Sequence, residues 1–247
     1  MEEENKDESL LTKKEKRELA KTHKQEETIK QTNSQKIQKL FFIAVGIVIV
    51  GFLGFKAYSY FSAPVETVSQ SLYSISGTDW VRGNQDAQVT IIEYGDFECP
   101  ACAIFSELVN DVYEKYKDKA KFTFRHFPLP QHTKAMIGSR AAEAAGRQGK
   151  FWDMHDFLFS HQEEWVKDSN SKDKVYEYAR QMGLDMDKFD RDYNSDEVKN
   201  KIEADSNGGY QLRVNATPTF FVNGKKLDNI RGREDFYQVV EKELSTQ

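Results

Sequence analysis

The sequence predicts an α/β domain, a mixed central sheet covered by helices and interrupted by an inserted helical layer, preceded by one transmembrane helix. Three observations carry this reading. An apolar run of membrane length follows a densely charged leader, a strand, helix, strand pattern comes next, and a hairpin turn followed by an amphipathic helix ends the chain.

The leader, residues 1–39, holds ten Lys/Arg and nine Asp/Glu and is almost without aromatic residues, so it cannot build a core and reads as solvated chain. Residues 40–247 carry 25 basic and 31 acidic side chains, a net charge of −6. A mildly acidic body argues against nucleic acid as a partner.

From Leu40 to Phe55 there is no charged residue, and with Lys56 snorkelling the apolar segment extends to Phe61. Those 22 residues reach about 33 Å at about 1.5 Å per residue, enough for a hydrocarbon core of about 30 Å. A buried core helix is the alternative, but the flanks offer it no partner. A cleaved signal peptide would lie nearer the start, and Pro64 directly after Ser62-Ala63 makes a poor cleavage site. Lys21, Lys24, Lys30, Lys36 and Lys39 precede the segment, whereas only Lys56 falls within it or shortly after. The expectation is therefore a single-pass protein of the cell membrane, anchor at 40–61, N-terminus cytoplasmic and body outside.

Residues 62–77 read as a tether, and 78–247 as the domain. Val89-Thr90-Ile91-Ile92 is a β-branched run of the kind covered on both faces. Cys102, Phe105, Leu108, Val109, Val112, Tyr113 and Tyr116 then follow helical spacing. Phe122 and Phe124 alternate with Lys121, Thr123 and Arg125, as in a half-buried strand, so the pair should be parallel. A helical insertion spans about 132–213. Thr219 to Val222 meets Asn223-Gly224, the commonest two-residue hairpin turn, and Phe236, Val239, Val240 and Leu244 form a closing helix.

The chain has two cysteines, Cys99 and Cys102, bracketing Pro100-Ala101. Proline suits the first helical position, which makes Cys99 the N-cap and exposes its sulfur to free N–H groups and the positive helix end. That environment favours a nucleophilic thiolate, with Cys102 three residues on as the resolving thiol. The alternatives are half a zinc site, for which only His126, His132, His155 and His161 could complete the set, and a passive buried disulfide. Glu93 stands in the otherwise apolar first strand; burial would raise its pKa and suit it to exchange protons with Cys102, while a place at the strand rim would leave it solvated. Pro218, after Thr217 and before a strand, is a candidate for a cis peptide bond.

Taken together, VTIIEYGDFECPAC (89–102), FRHFPL (124–129), GKFWDMHDFLF (149–159) and ATPTFFVNG (216–224) resemble the DsbA-like branch of the thioredoxin fold, from about Asp79 to Glu243. The resemblance implies that Cys99 attacks, that Cys102 resolves, and that a cis-proline loop at Thr217-Pro218 binds extended substrate backbone. Glu93 matches the buried acid of that fold by its spacing. No cofactor is implied; the implied partners are exported proteins with free thiols and a membrane reoxidase. The expected activity is a dithiol oxidase, with a reductase, an isomerase or an anchored peptide-binding adaptor as alternatives. One departure stands out: Pro-Ala separates the cysteines, and Asp96 and Glu98 add negative charge nearby, which points to a less favoured thiolate and a milder oxidant.

Overall fold

The computed structural model describes residue 21, residues 46, 49–52 and 54–56, and residues 70–228 and 230–246. The chain divides into a unit Met1–Val65 and a unit Glu66–Gln247. In the first unit the described residues are helical. Among the described residues no helix is long and apolar enough to cross a membrane. Most of the expected span 40–61, and nearly all of the leader 1–39, lie outside them.

The second unit is built on a five-stranded sheet, β1 (Val81–Gly83), β2 (Val89–Gly95), β3 (Ala120–His126), β4 (Thr219–Val222) and β5 (Lys225–Lys226), in the order β1-β3-β2-β4-β5. The central pair, β2 and β3, is parallel, as the strand, helix, strand pattern requires; the other pairs are antiparallel. The mixed sheet follows from the connections. Helix α1 (Pro100–Tyr116) returns the chain to a parallel neighbour, whereas Asn223-Gly224, both at positive φ, turn it back at once into β5.

Six helices form the insertion: α2 (Ala135–Gly146), α3 (Phe151–Ser160), α4 (Gln162–Lys167), α5 (Ser171–Gln181), α6 (Met186–Tyr193) and α7 (Asp196–Gln211); α8 (Arg233–Ser245) closes the chain. On one sheet face Val89, Ile91, Phe122, Phe220 and Val222 pack with Val109, Val112 and Tyr116 of α1 and Phe236 and Val240 of α8. The insertion builds its own core around Phe97, Met154, Leu158, Trp165 and Phe189, continuous with both cysteines. Gly138 allows this close approach, because a Cβ there would lie 2.7 Å from that of Phe97.

Strand β3 departs from the half-buried reading, since Thr123 and Arg125 are buried as well as Phe122 and Phe124. The polar face is covered by the described part of the expected tether 62–77. A 3-10 turn at Gln70–Tyr73 begins it, and Leu72 and Tyr73 pack against Ile92, Tyr94 and Phe221. The Arg125 guanidinium pairs with the Asp79 carboxylate at 2.7 Å and donates to the carbonyls of Leu72 and Ser74 and to the Tyr94 hydroxyl. Lys201 of α7 joins the other side, 3.4 Å from Asp79 and 2.6 Å from Asp205. Thus a charge that periodicity places outside is buried among paired partners.

Removing one partner of a buried, fully bonded pair strands the other charge. Arg125→Met is expected to cost about 3–5 kcal/mol, while Lys117→Met, which breaks the exposed pair with Glu114, costs about 0–1 kcal/mol. Urea unfolding of the two variants checks the contrast.

Candidate active site

The end of β2 carries the chain to Gly95, and the next four residues are tied down before α1 begins. The Asp96 carboxylate, wholly buried, accepts from the amides of Glu98 and Leu129 and hydrogen-bonds His132 Nδ1 at 2.7 Å. The Glu98 carboxylate accepts from the Lys134 amide. Gln162 Nε2 donates to the carbonyls of Phe97 and Cys99, at 2.8 and 2.9 Å. The acidic residues flanking the cysteine pair therefore turn their carboxylates onto amides and a ring nitrogen.

Cys99 is the N-cap of α1 and Pro100 its first residue. The two cysteines are in the dithiol form. As a thiol, Cys99 Sγ donates to the carbonyl of Thr217 at 3.4 Å and makes no capping bond. Ionisation reverses its role to acceptor, and the surroundings are arranged for that state. The Cys102 thiol beside it is the largest influence lowering the Cys99 pKa; burial opposes it, and the Thr217 hydroxyl and the free amides of Cys102 and Ala101 add to it, giving about 5. In the dithiol form the Thr217 hydroxyl is buried with no hydrogen-bond partner among the described residues. The reduction of acidity expected from Asp96 and Glu98 is thus outweighed.

Cys102 faces inward at 0 % exposure, where burial pushes its thiol well above the usual range, helped by its bond to Cys99 and by the charges of Glu93 and Cys99. Glu93 lies on the face of β2 beneath α1 and is buried, not solvated at a rim. Burial raises its carboxyl to about 8, against the pull of Arg82, with Asp156 and Cys99 raising it further. Arg82 on β1 lies between the rings of Tyr113 and Trp152, with its centre 4.4 and 4.1 Å from theirs, and donates to Asn110. Two neighbouring sulfurs with opposed acidities above a protonated carboxyl suit thiolate chemistry at Cys99 and proton exchange at Cys102.

The peptide bond Thr217-Pro218 is cis and presents Thr217 to Cys99, so the structure brings Cys99, Cys102, Glu93, Thr217 and Pro218 to one place. Beside them Pro100, Ala103, Ile104, Phe159 and Gln162 line a groove of about 410 Å³ with Ile104 exposed. The four histidines are engaged elsewhere: His126 with Glu143, His132 with Asp96, His155 with Asp156 and His161 with Ser160. His155, buried among aromatic rings, is held neutral by burial, with a pKa near 4. Sequence reasoning missed Gln162, the Asp96–His132 pair and the Thr217 side chain. An Asp or a Gln in isolation carries no local signal of which loop it will reach.

Glu93 lowers stability as pH rises, because the unfolded chain loses a proton near 4.5 that the folded protein keeps to about 8. In the disulfide form Glu93→Gln should gain about 3 kcal/mol at pH 7 and lose most of the decline between those values, read by guanidinium unfolding at several pH values. Thr217→Val removes one donor to the thiolate and should raise the Cys99 pKa by about one unit, followed by thiolate absorbance.

A sequence profile of the family described as Thioredoxin matches residues 75–242. Among curated proteins, the Na(+)/H(+) antiporter NhaA 1 of Mycolicibacterium gilvum is 40 % identical over 153 residues, 60 % of this chain and 24 % of that protein. The chain thus spans about a quarter of the length of such relatives. Among solved structures, a thioredoxin-like oxidoreductase from Silicibacter pomeroyi is 25 % identical with a TM-score of 0.60, covering 71 % of this chain and 96 % of that one. BdbD from Bacillus subtilis is 26 % identical with a TM-score of 0.59, covering 67 % and 92 %. The alpha-DsbA1 of Wolbachia pipientis, 23 % identical over 72 % of this chain and 96 % of its own, shares the fold with a TM-score of 0.65. With that profile matched across most of its length, the chain belongs to the thioredoxin family and has the fold of the DsbA-like thiol-disulfide oxidoreductases.

Proposed function

We propose that this protein is a membrane-anchored dithiol oxidase that introduces disulfides into exported proteins outside the cytoplasm. The observation that carries the reading is the opposed acidity of the two sulfurs, Cys99 lowered to about 5 and Cys102 raised. A sulfur that is a good thiolate is also a good leaving group, so a mixed disulfide at Cys99 resolves readily toward oxidised substrate.

In the oxidised enzyme a substrate thiolate attacks Cys99 Sγ. The Cys99–Cys102 bond breaks, and Cys102 leaves and takes a proton, which the Glu93 carboxyl supplies from below. The substrate's second thiolate then attacks the substrate sulfur of the mixed disulfide. Cys99 departs as a thiolate, the substrate gains its disulfide, and two electrons rest on the enzyme pair. A membrane reoxidase or a small oxidant accepts them. The cis-proline loop at Thr217-Pro218 offers backbone to an extended, unfolded segment, a mode that tolerates many sequences.

The anchor and the outward orientation rest on the apolar run 40–61 and the lysines before it. Cysteine labelling of the intact membrane protein by an impermeant reagent tests them, and protection of Cys99 would overturn the extracytoplasmic placement.

Cys99→Ser should abolish oxidation of a reduced, unfolded protein substrate, and Cys102→Ser should accumulate the mixed disulfide, seen by non-reducing electrophoresis. Equilibrium with glutathione should give a potential well above the about −270 mV of thioredoxin. A value at that level would make the protein a reductase, and a wild type that binds unfolded peptide without turnover, with binding unchanged in Cys99→Ser, would leave only a peptide-binding adaptor.

A further inference from the structure

We propose that Gln162 is a positioning residue for the redox pair, clamping the Cys99 end of α1 to the helical layer through the two carbonyl groups that its side-chain amide holds. The inference rests on the thiol-disulfide reading above and adds a source of control within the insertion.

Gln162 opens α4, which lies outside the sheet and 63 residues beyond Cys99 in sequence. A primary amide has two N–H donors, and its nitrogen sits 2.8 Å from the Phe97 carbonyl and 2.9 Å from that of Cys99, in a buried setting. The Cys99 carbonyl also accepts from Ala103 at 3.2 Å, the first hydrogen bond of the helix. One oxygen thus joins the start of α1 to the insertion. Asp96 and Glu98 fix the loop further upstream, through Leu129, His132 and Lys134; among the described residues, Gln162 is the side chain that binds the backbone of Cys99 itself.

Two effects follow. Holding that carbonyl fixes the turn from Cys99 into Pro100, and hence the direction in which the free amides of Ala101 and Cys102 face the sulfur. The donor end of the amide also offsets the negative end of the carbonyl dipole nearest the thiolate. The titratable groups beside the sulfur are otherwise Cys102 from α1 and Glu93 from β2, both held protonated by burial. On α4, Glu163 and Glu164 are paired with Lys167 and Lys174, so a neutral change at residue 162 adds or removes no charge.

The test compares the full-length wild type with Gln162→Met, similar in length and without donors. Alkylation of Cys99 against pH and equilibrium with glutathione are the readouts. The expected result is a half-titration about one unit higher and an equilibrium constant about tenfold less oxidising, which for two electrons is about 30 mV. Trp165→Phe is the control, because Trp165 packs in the same corner and donates to the Leu158 carbonyl, whereas the carbonyls of Phe97 and Cys99 are held by Gln162; it should lower stability and leave both readouts in place. If Gln162→Met does not fold, Gln162→Asn, too short to span both carbonyls, should shift both readouts in the same direction. Wild-type exchange with unmoved values in the Gln162 variants, or an equal shift in Trp165→Phe, overturns the inference alone. A wild type that does not exchange with glutathione overturns the thiol-disulfide reading, and this inference with it.

Discussion

The site depends on placing two sulfurs, three residues apart, in environments that differ in how they treat charge. Cys99 stands where a helix begins, and its ion is met by amide hydrogens, a neighbouring thiol and a hydroxyl. Cys102 and Glu93 lie just inside, where the absence of water disfavours charge on either. Around neutral pH the reduced site therefore holds its negative charge on one sulfur. Burial assigns the chemistry as much as hydrogen bonding does, because it keeps the second thiol and the carboxyl protonated beneath the first.

Such an arrangement works only if the helix start is held in place. The segment from Gly95 to Cys99 contains two carboxylates that would raise the Cys99 pKa if they faced it. Both are turned away, Asp96 onto Leu129, Glu98 and His132, and Glu98 onto the Lys134 amide. The same bonds that remove their charge from the sulfur join the loop to the chain entering the insertion. Lys134 extends the join by donating to the carbonyls of Val166, near the end of α4, and Asp168, just past it. The helical layer is thus part of the redox site's frame as well as a cover for the sheet.

How much of this was legible in sequence follows from the range of each interaction. The β-branched run at Val89–Ile92, the proline after Cys99 and the Asn-Gly turn act within a few residues, and each stands where local chemistry puts it. Strand β1, only three residues long, has no period to read. Arg125 alternates as a surface residue would, and its burial depends on Asp79 and Lys201, 46 and 76 positions away in sequence. Within the expected tether 62–77, Leu72 and Tyr73 give no local signal for the same reason, since they gain their packing partners only once the sheet exists. Gln162 is the limiting case, a polar residue whose meaning comes wholly from the backbone it meets.

Opposed acidities also give the two redox forms different stabilities. In the dithiol form, Cys99 is ionised in the folded chain from about pH 5 and in the unfolded chain only near 9. Its contribution is full above 9, shrinks as pH falls, and is gone near 5. The Glu93 cost runs the other way, absent below 4.5 and complete above about 8. The disulfide form carries the Glu93 cost without the Cys99 gain. Between pH 5 and 9 the change with pH in the stability difference between the two forms therefore comes chiefly from Cys99, while the pH dependence of the disulfide form alone reports Glu93. The thiolate that makes Cys99 a leaving group is the same ion that stabilises the reduced fold, so the protein's tendency to accept electrons and its gain in stability on reduction are one quantity measured in two ways.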